Sequence, residues 1–260
     1  MGIRTDLALE TEKIGKKGDY FTEKEGVFEL NYAEIKDNEN WDKNTGKYIT
    51  LSFCDLQKIT DFEVLEKQFK KALSMLLSDN KNTLVVGLGN REITADSVGV
   101  KTAEKILATR HIMGEFAEKI GLFGLQNVSV IVPNVLGKTG IEVMEILKGI
   151  ITHTNADTVI VIDALCAKDE SRLFKTIQLT DSGISPGSGV KNKRQEISKK
   201  TLGVKVVAIG VPTVIEYKED LIVTPKDCDL LTDKISDILA VNLNMFLQPK
   251  IDREILCELV

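Results

Sequence analysis

The hydrophobic and polar positions of this chain alternate between short, wholly apolar runs and longer amphipathic stretches. The apolar runs predict strands at 48–53, 83–88, 128–132, 158–162 and 205–209, with a possible further strand at 176–179. The amphipathic stretches predict helices at about 61–77, 97–112, 139–152 and 227–246. Runs such as LVVGL and TVIVI are typical of parallel strands covered by helices on both faces. The pattern therefore predicts an α/β fold, a three-layer α/β/α sandwich with a mostly parallel sheet.

Length and composition predict one domain over 1–260, in which 1–47 is a polar N-terminal extension that leads into the first strand. Hydrophobic side chains make up 43% of the chain and charged ones 28%, as in an ordinary globular protein. A net charge of −5 argues against a protein that coats nucleic acid. The sequence contains no apolar stretch as long as a signal peptide or a membrane span requires, so we expect a cytoplasmic protein without a membrane partner.

Several familiar site motifs are incomplete in this sequence. The GLG at Gly87 invites a dinucleotide-binding interpretation, but the third glycine of that fingerprint falls on Glu92, which would repel phosphate. The GKT near residue 138 lacks the earlier P-loop glycine, because position 132 is Val132. His111 and His153 are the two histidines, and the four cysteines are widely spaced, which predicts reduced thiols. No cofactor and no metal site is predicted.

Two aspartates follow predicted strands and are the main candidates for chemistry. The strand 83–88 leads through a short loop to Asp96, and the strand 158–162 ends directly on Asp163. Because ligands of such sheets bind beyond the carboxyl ends of the strands, we expect both carboxylates in one crevice. Asp96 could instead merely favour the positive end of a helix. Asp163 stands between VIVI and AL, where an unpartnered carboxylate is costly to bury.

Paired carboxylates within hydrogen-bond range would share a proton, because like-charge repulsion raises one apparent pKa. One could then activate a water while the other polarises a carbonyl, which predicts amide hydrolysis without a nucleophilic side chain. The same pair could instead hold a metal ion, but two carboxylates without a nearby histidine make an underpopulated site.

The glycine-rich segment DSGISPGSGVKNKRQEIS at 181–198 is the other unusual stretch. Its glycines allow the backbone to approach a ligand closely, and its basic residues could hold an anionic group or form a salt bridge. It could equally be the exposed basic start of a helix. The candidates for the cleft and its loops are Asn90, Gly187, Ser188, Gly189, Lys191 and Arg194.

Sequence segments in the order IRTDLALE, VVGLGNREITADSVG, VPNVLGKTGIE, VIDALCA and TIQLTDSGISPGSGVKNKRQEIS resemble the germination proteases of endospore-forming bacteria. The resemblance implies an endopeptidase of the spore core that begins the degradation of small acid-soluble spore proteins during germination. It also implies a fold like that of hydrogenase maturation proteases, a homotetramer, and catalytic aspartates in the motifs that here contain Asp96 and Asp163. Two alternatives stay open: a metal-dependent maturation-type peptidase with the same carboxylates, and a non-catalytic peptide-binding relative.

This sequence departs from the family pattern at two places. The usual TPDALGP is TADSVGV here, so Ala95 and Ser97 replace typical residues while Asp96 and Gly99 remain. Relatives are made as zymogens whose propeptide ends near the RTDLA motif. That motif begins here at Arg4, so we expect at most a handful of residues to be removed.

Overall fold

One mixed sheet forms the centre of the computed structural model, which describes residues 5–10, 20–36, 44–78, 81–112, 117, 119, 122–187, 195–218 and 221–259. The strands are β1 (Tyr20–Glu25), β2 (Phe28–Ile35), β3 (Gly46–Phe53), β4 (Asn82–Gly87), β5 (Asn127–Ile131), β6 (Thr158–Ala167), β7 (Thr176–Thr180), β8 (Lys205–Lys218) and β9 (Leu221–Val223). The helices are α1 (Phe62–Leu76), α2 (Val98–Ala103), α3 (Leu136–Thr139), α4 (Val143–Thr154), α5 (Lys199–Leu202), α6 (Cys228–Leu247) and α7 (Arg253–Leu259).

The strand order across the sheet is β1-β2-β3-β7-β8-β6-β4-β5, and β9 pairs with the extended end of β8. Strands β8, β6, β4 and β5 are parallel to their neighbours within this group. All other pairings are antiparallel, including that of β7 with β8. The predicted α/β fold is confirmed, but the sheet is mixed rather than mostly parallel, because an antiparallel group extends from the edge of its parallel half.

Successive side chains of the parallel strands point into two separate cores, as the period of two in a strand requires. On one face, Val85, Ile160 and Val207 pack in the core that includes α1 and α6. On the other face, Val86 and Val161 belong to the core formed with α4. The two cores confirm the predicted three layers and explain why these strands read as continuous apolar runs.

Strands β1 and β2 lie within 1–47, the segment for which the sequence predicts a polar extension. The β2 sequence FELNYAEI buries Phe28, Leu30 and Tyr32 at alternate positions, and Asn31 and Ala33 on the opposite face are buried as well. In β1 the carboxylates of Glu23 and Glu25 form ion pairs with lysines of α1. The apolar positions of these strands are few and stand between charged residues, so the composition of the segment does not reveal the strands.

Two predicted helices are shorter or broken in the structure. The helix expected at 97–112 ends at Ala103, and the Asn244 side chain of α6 binds the chain beyond it, accepting from Leu107 N–H (2.9 Å) and donating to Lys105 O (2.8 Å). The helix expected at 139–152 begins only at Val143, as α4, because Gly140 has a left-handed φ of 69° and ends the short helix α3 at Thr139. Tertiary hydrogen bonds and one glycine thus override the helical periodicity.

Further expectations concern membranes and thiols. Among the described residues, no helix combines the length and hydropathy that crossing a membrane requires. Cys54, Cys166 and Cys228 are free cysteines in the part of the chain that the structure describes.

Candidate active site

Asp163 lies inside β6 rather than at its end. Strand β4 pairs with β6 as far as Gly87, opposite Ile162, whereas β8 continues past this point and places Gly210 opposite Asp163. The prediction that the strand ends at Ile162 is therefore wrong, because the longer β8 keeps β6 paired to Ala167. Asp163 therefore lies between β8 on one side and the end of β4 on the other, and it is only 6% exposed.

The surroundings of Asp163 favour its protonated form. Burial raises the pKa of Asp163 well above its usual range, and the negative charges of Asp96 and, to a smaller extent, Asp6 raise it further. The N–H of Ala164 donates to Oδ1 of Asp163 (2.9 Å) and opposes this rise. The electrostatic effect of Asp96 on Asp163 supports the expectation that the two carboxylates face one another.

Asp96 is the last residue of a 3₁₀ turn, Thr94–Asp96, that precedes α2. It is half-buried, and its Oδ2 accepts a hydrogen bond from the N–H of Asn90 (2.9 Å). Burial raises the pKa of Asp96, and the Asn90 N–H counteracts part of that rise. Asn90 therefore acts through its backbone, while its side-chain oxygen accepts from Glu92 N–H (3.0 Å) and closes the turn.

Both aspartates line one cleft of about 1280 Å³. Asn90 and Gly187 line it too, so the structure brings these four predicted residues together. Ser188, Gly189, Lys191 and Arg194 lie outside the described residues.

The described part of the glycine-rich segment forms a wall of this cleft. Ile184 and Ile197 exchange two backbone hydrogen bonds (2.9 and 2.8 Å) and close the base of the loop between them. Ser185, Pro186 and Gly187 follow the first of these residues and line the cleft. The closed base fixes where the loop leaves the sheet, beyond the end of β7.

Asp6 also lines the cleft, although it is not among the site residues that the sequence predicts. Its N–H donates to Cys166 O (2.8 Å), and its Oδ2 accepts from Cys166 N–H (2.9 Å). Asp6 therefore pairs with β6 three residues beyond Asp163. Leu7 and Ala8 are each 1% exposed and anchor the segment. A signal was present, because an aspartate directly before LALE in a polar region indicates a locally buried segment.

Glycines allow the two aspartate-bearing elements to approach closely. A Cβ at Gly99 of α2 would lie 2.2 Å from Ile162 O and 2.4 Å from Leu88 O. A Cβ at Gly87 would lie 2.4 Å from Gly99 O. Gly89 has a φ of +109°, and a Cβ there would lie 1.9 Å from Asp96 O. The helix that follows Asp96 therefore lies directly on the strand that carries Asp163.

Comparison with known proteins shows the family of this chain. The family model of the germination protease matches residues 16–219. The chain belongs to the germination protease family. The germination protease of Clostridium tetani is 35% identical, with 98% of each chain covered, and that of Priestia megaterium is 41% identical over 82% of this chain and 64% of its own length. The resemblance seen in the sequence is confirmed, and so is the predicted enzyme class, since this is a family of peptidases.

One solved structure that matches is a [NiFe] hydrogenase maturation protease, HycI from Thermococcus kodakarensis. It has a TM-score of 0.39 and 16% identity, and the match covers 66% of this chain and 98% of that one.

The buried carboxyl of Asp163 predicts a definite pH dependence of stability in this member of the family. Its folded-state pKa is raised, so the folded protein binds the proton more tightly than the unfolded chain. Stability that is fully present below the unfolded pKa of about 4 is lost as the pH rises through the folded pKa, by about 1.4 kcal/mol for each pKa unit. We expect wild type to become less stable than Asp163→Asn over this range.

Urea unfolding of both proteins between pH 4 and pH 8 measures this difference. If the free energies of unfolding of wild type and Asp163→Asn differed by the same amount at every pH, a raised pKa at Asp163 would be contradicted.

Proposed function

We propose that this chain is an endopeptidase that begins the degradation of small acid-soluble spore proteins during spore germination, with Asp96 and Asp163 activating a water. The observation that carries the proposal is the buried Asp163 carboxyl, whose pKa is raised by burial and by the charge of Asp96, in a cleft that Asp96 also lines. Carboxylates that share a site and differ in environment take different roles, one as acid and one as base.

The difference in burial between the two carboxyls supports one distribution of these roles. Asp163 is the more deeply buried and the more strongly shifted, so it holds the proton, and half-buried Asp96 is ionised. Asp96 accepts a proton from the water as the water oxygen bonds to the scissile carbonyl carbon, and Asp163 donates its proton to the carbonyl oxygen. The resulting gem-diol returns one proton to Asp163 as the C–N bond breaks, and Asp96 passes its proton to the departing amine. Both carboxyls then regain their starting states.

The cleft has features suited to a peptide. Ile93 and Ile222 both line it and are 54% and 47% exposed, so they offer apolar surface to substrate side chains. The cleft volume of about 1280 Å³ exceeds the roughly 300–1,000 Å³ of a typical small-molecule pocket. An extended polypeptide segment fits these dimensions better than a single amino acid does.

The remaining parts of the proposal follow the family. We propose that the enzyme works in the spore core as a homotetramer, and that its precursor is cleaved near the RTDLA motif. The anchoring of Asp6, Leu7 and Ala8 supports a boundary there, because removal of buried Leu7 would expose apolar surface.

Incubation of the purified protein with a small acid-soluble spore protein, followed by mass spectrometry of the products, tests the proposed activity. We expect a small set of discrete internal cleavages, and we expect them to persist after exhaustive chelation because the carboxyl pair itself carries the protons. Binding without any cleavage product would overturn the endopeptidase in favour of the peptide-binding alternative. Activity that chelation removes and one added divalent cation restores would overturn the metal-free mechanism.

A further inference from the structure

The turn that carries Asp96 is held by its own hydrogen bonds and by bonds from other elements. Ser97 Oγ donates to Thr94 O (2.8 Å), whereas Ile93 before the turn gives it no side-chain capping bond. The carbonyl directly before Asp96 is bound from a distant element. Thr213 of β8 is 0% exposed, and its Oγ1 donates to Ala95 O at 2.6 Å.

Thr213 occupies an irregular point of the sheet. In the register of β6 with β8, Leu165 stands opposite Pro212 and Cys166 opposite Val214, so Thr213 is an extra residue on β8. An extra residue of this kind is a β-bulge, which redirects a side chain locally and is common beside active sites. The bulge lies three residues beyond Gly210, the partner of Asp163.

The bulge thus contacts the elements that carry both Asp163 and Asp96. The strand ladder that fixes Asp163 is interrupted at Thr213, and the hydroxyl of Thr213 binds the residue before Asp96. Thr213 is itself held, because its carbonyl oxygen accepts from Thr224 Oγ1 (2.8 Å) at the end of β9. A second threonine, Thr232 of α6, reaches Thr94 O at the longer distance of 3.4 Å and adds less.

We propose that Thr213 is a positioning residue for Asp96: the bulge in β8 aims its hydroxyl at Ala95 O and so sets how far Asp96 extends toward Asp163. The proposal rests on the function proposed above for the aspartate pair. A displacement of about 1 Å in such a site lowers a rate roughly 100-fold, so the loss of one fixed bond is measurable.

Three variants isolate the hydroxyl. Thr213→Val keeps the shape of the side chain and removes the donor, whereas Thr213→Ser keeps the donor and removes a methyl group. Thr176→Val is the matched control, since Thr176 is a buried strand threonine on β7 whose Oγ1 has no hydrogen-bond partner among the described residues. Thr213→Ala serves in place of Thr213→Val if the latter does not fold.

We expect Thr213→Val to lower kcat about 10- to 100-fold with KM changed less than about twofold. Thr213→Ser should stay within about threefold of wild type, and Thr176→Val should match wild type. An unchanged kcat in folded Thr213→Val, or an equal loss in Thr213→Ser, would overturn the proposal, as would a loss seen only as a raised KM.

Carbon-13 NMR titration of the Asp96 carboxyl in wild type and Thr213→Val gives a readout that does not depend on turnover. We expect the Asp96 midpoint to move in Thr213→Val and to return in Thr213→Ser, and identical midpoints would overturn the proposal. Asp96→Asn belongs in the same kinetic series. If Asp96→Asn cleaves normally, the proposed function fails, whereas the titration still decides whether Thr213 positions the Asp96 carboxyl.

Discussion

Asp163→Asn is expected to lower the rate of spore-protein cleavage about 1,000-fold or more, because an amide can neither donate a carboxyl proton to the substrate nor take it back. The amide is close to the carboxyl in shape, so the packing around β6 should survive. The initial rate of fragment formation, followed by mass spectrometry under conditions where the variant is folded, measures the effect.

Asp157→Asn is the matched control on the same strand pair. The Asp157 carboxylate accepts from Lys81 N–H (3.3 Å) and Asn82 N–H (3.1 Å). Asp157 directly precedes β6, so it lies at the amino-terminal end of the parallel strands, away from Asp163. This variant should keep near-normal activity. Cleavage by Asp163→Asn at a rate close to that of Asp157→Asn would exclude Asp163 as the acid.

Gly99→Ala is expected to destabilise the protein by about 3 kcal/mol, at the upper end of overpacking effects. The added Cβ would meet Ile162 O at 2.2 Å and Leu88 O at 2.4 Å, and both are backbone atoms of the central strand region that cannot rotate away. Helix α2 must therefore move off the strands, and Asp96 moves with it. Urea unfolding gives the stability change, and the cleavage assay gives the accompanying loss of activity.

A second glycine provides the comparison. In the described structure, a Cβ at Gly149 in the middle of α4 would meet no atom within 4 Å, so Gly149→Ala should stabilise the protein by roughly 0.5–1 kcal/mol. If Gly99→Ala behaved like Gly149→Ala, the close contact between α2 and β6 would be disproved.

The parts of the fold that the sequence predicted are those where one physical signal dominates. Strands β4 and β6 are apolar on both faces, and α1 and α6 have a buried stripe, so their existence follows from burial alone. The location of the site followed from a geometric rule, since parallel strands deliver their carboxyl ends to one edge of a sheet.

The parts that the sequence did not predict depend on contacts between distant residues. The Asn244 side chain of α6 donates to Lys105 O directly after α2, a contact that the sequence around Ala103 does not reveal. The contribution of Asp6 requires Cys166, and that of Thr213 requires Ala95, 118 positions earlier. A threonine with no titratable group carries no chemical signal in a linear sequence, so its relation to Asp96 became visible only through the bulge.

The long-range anchoring of the site also has a consequence for the time at which a newly made chain becomes a protease. The Ala8 N–H donates to Gln178 Oε1 across 170 residues, and the hydroxyl that holds the Asp96 turn belongs to residue 213. Because domains form their long-range contacts only after the participating segments have left the ribosome, the two carboxyls cannot be aligned while most of the chain is still being synthesised. On the proposed mechanism, a nascent chain therefore cannot cut itself or its neighbours on the polysome before residue 213 has left the ribosome.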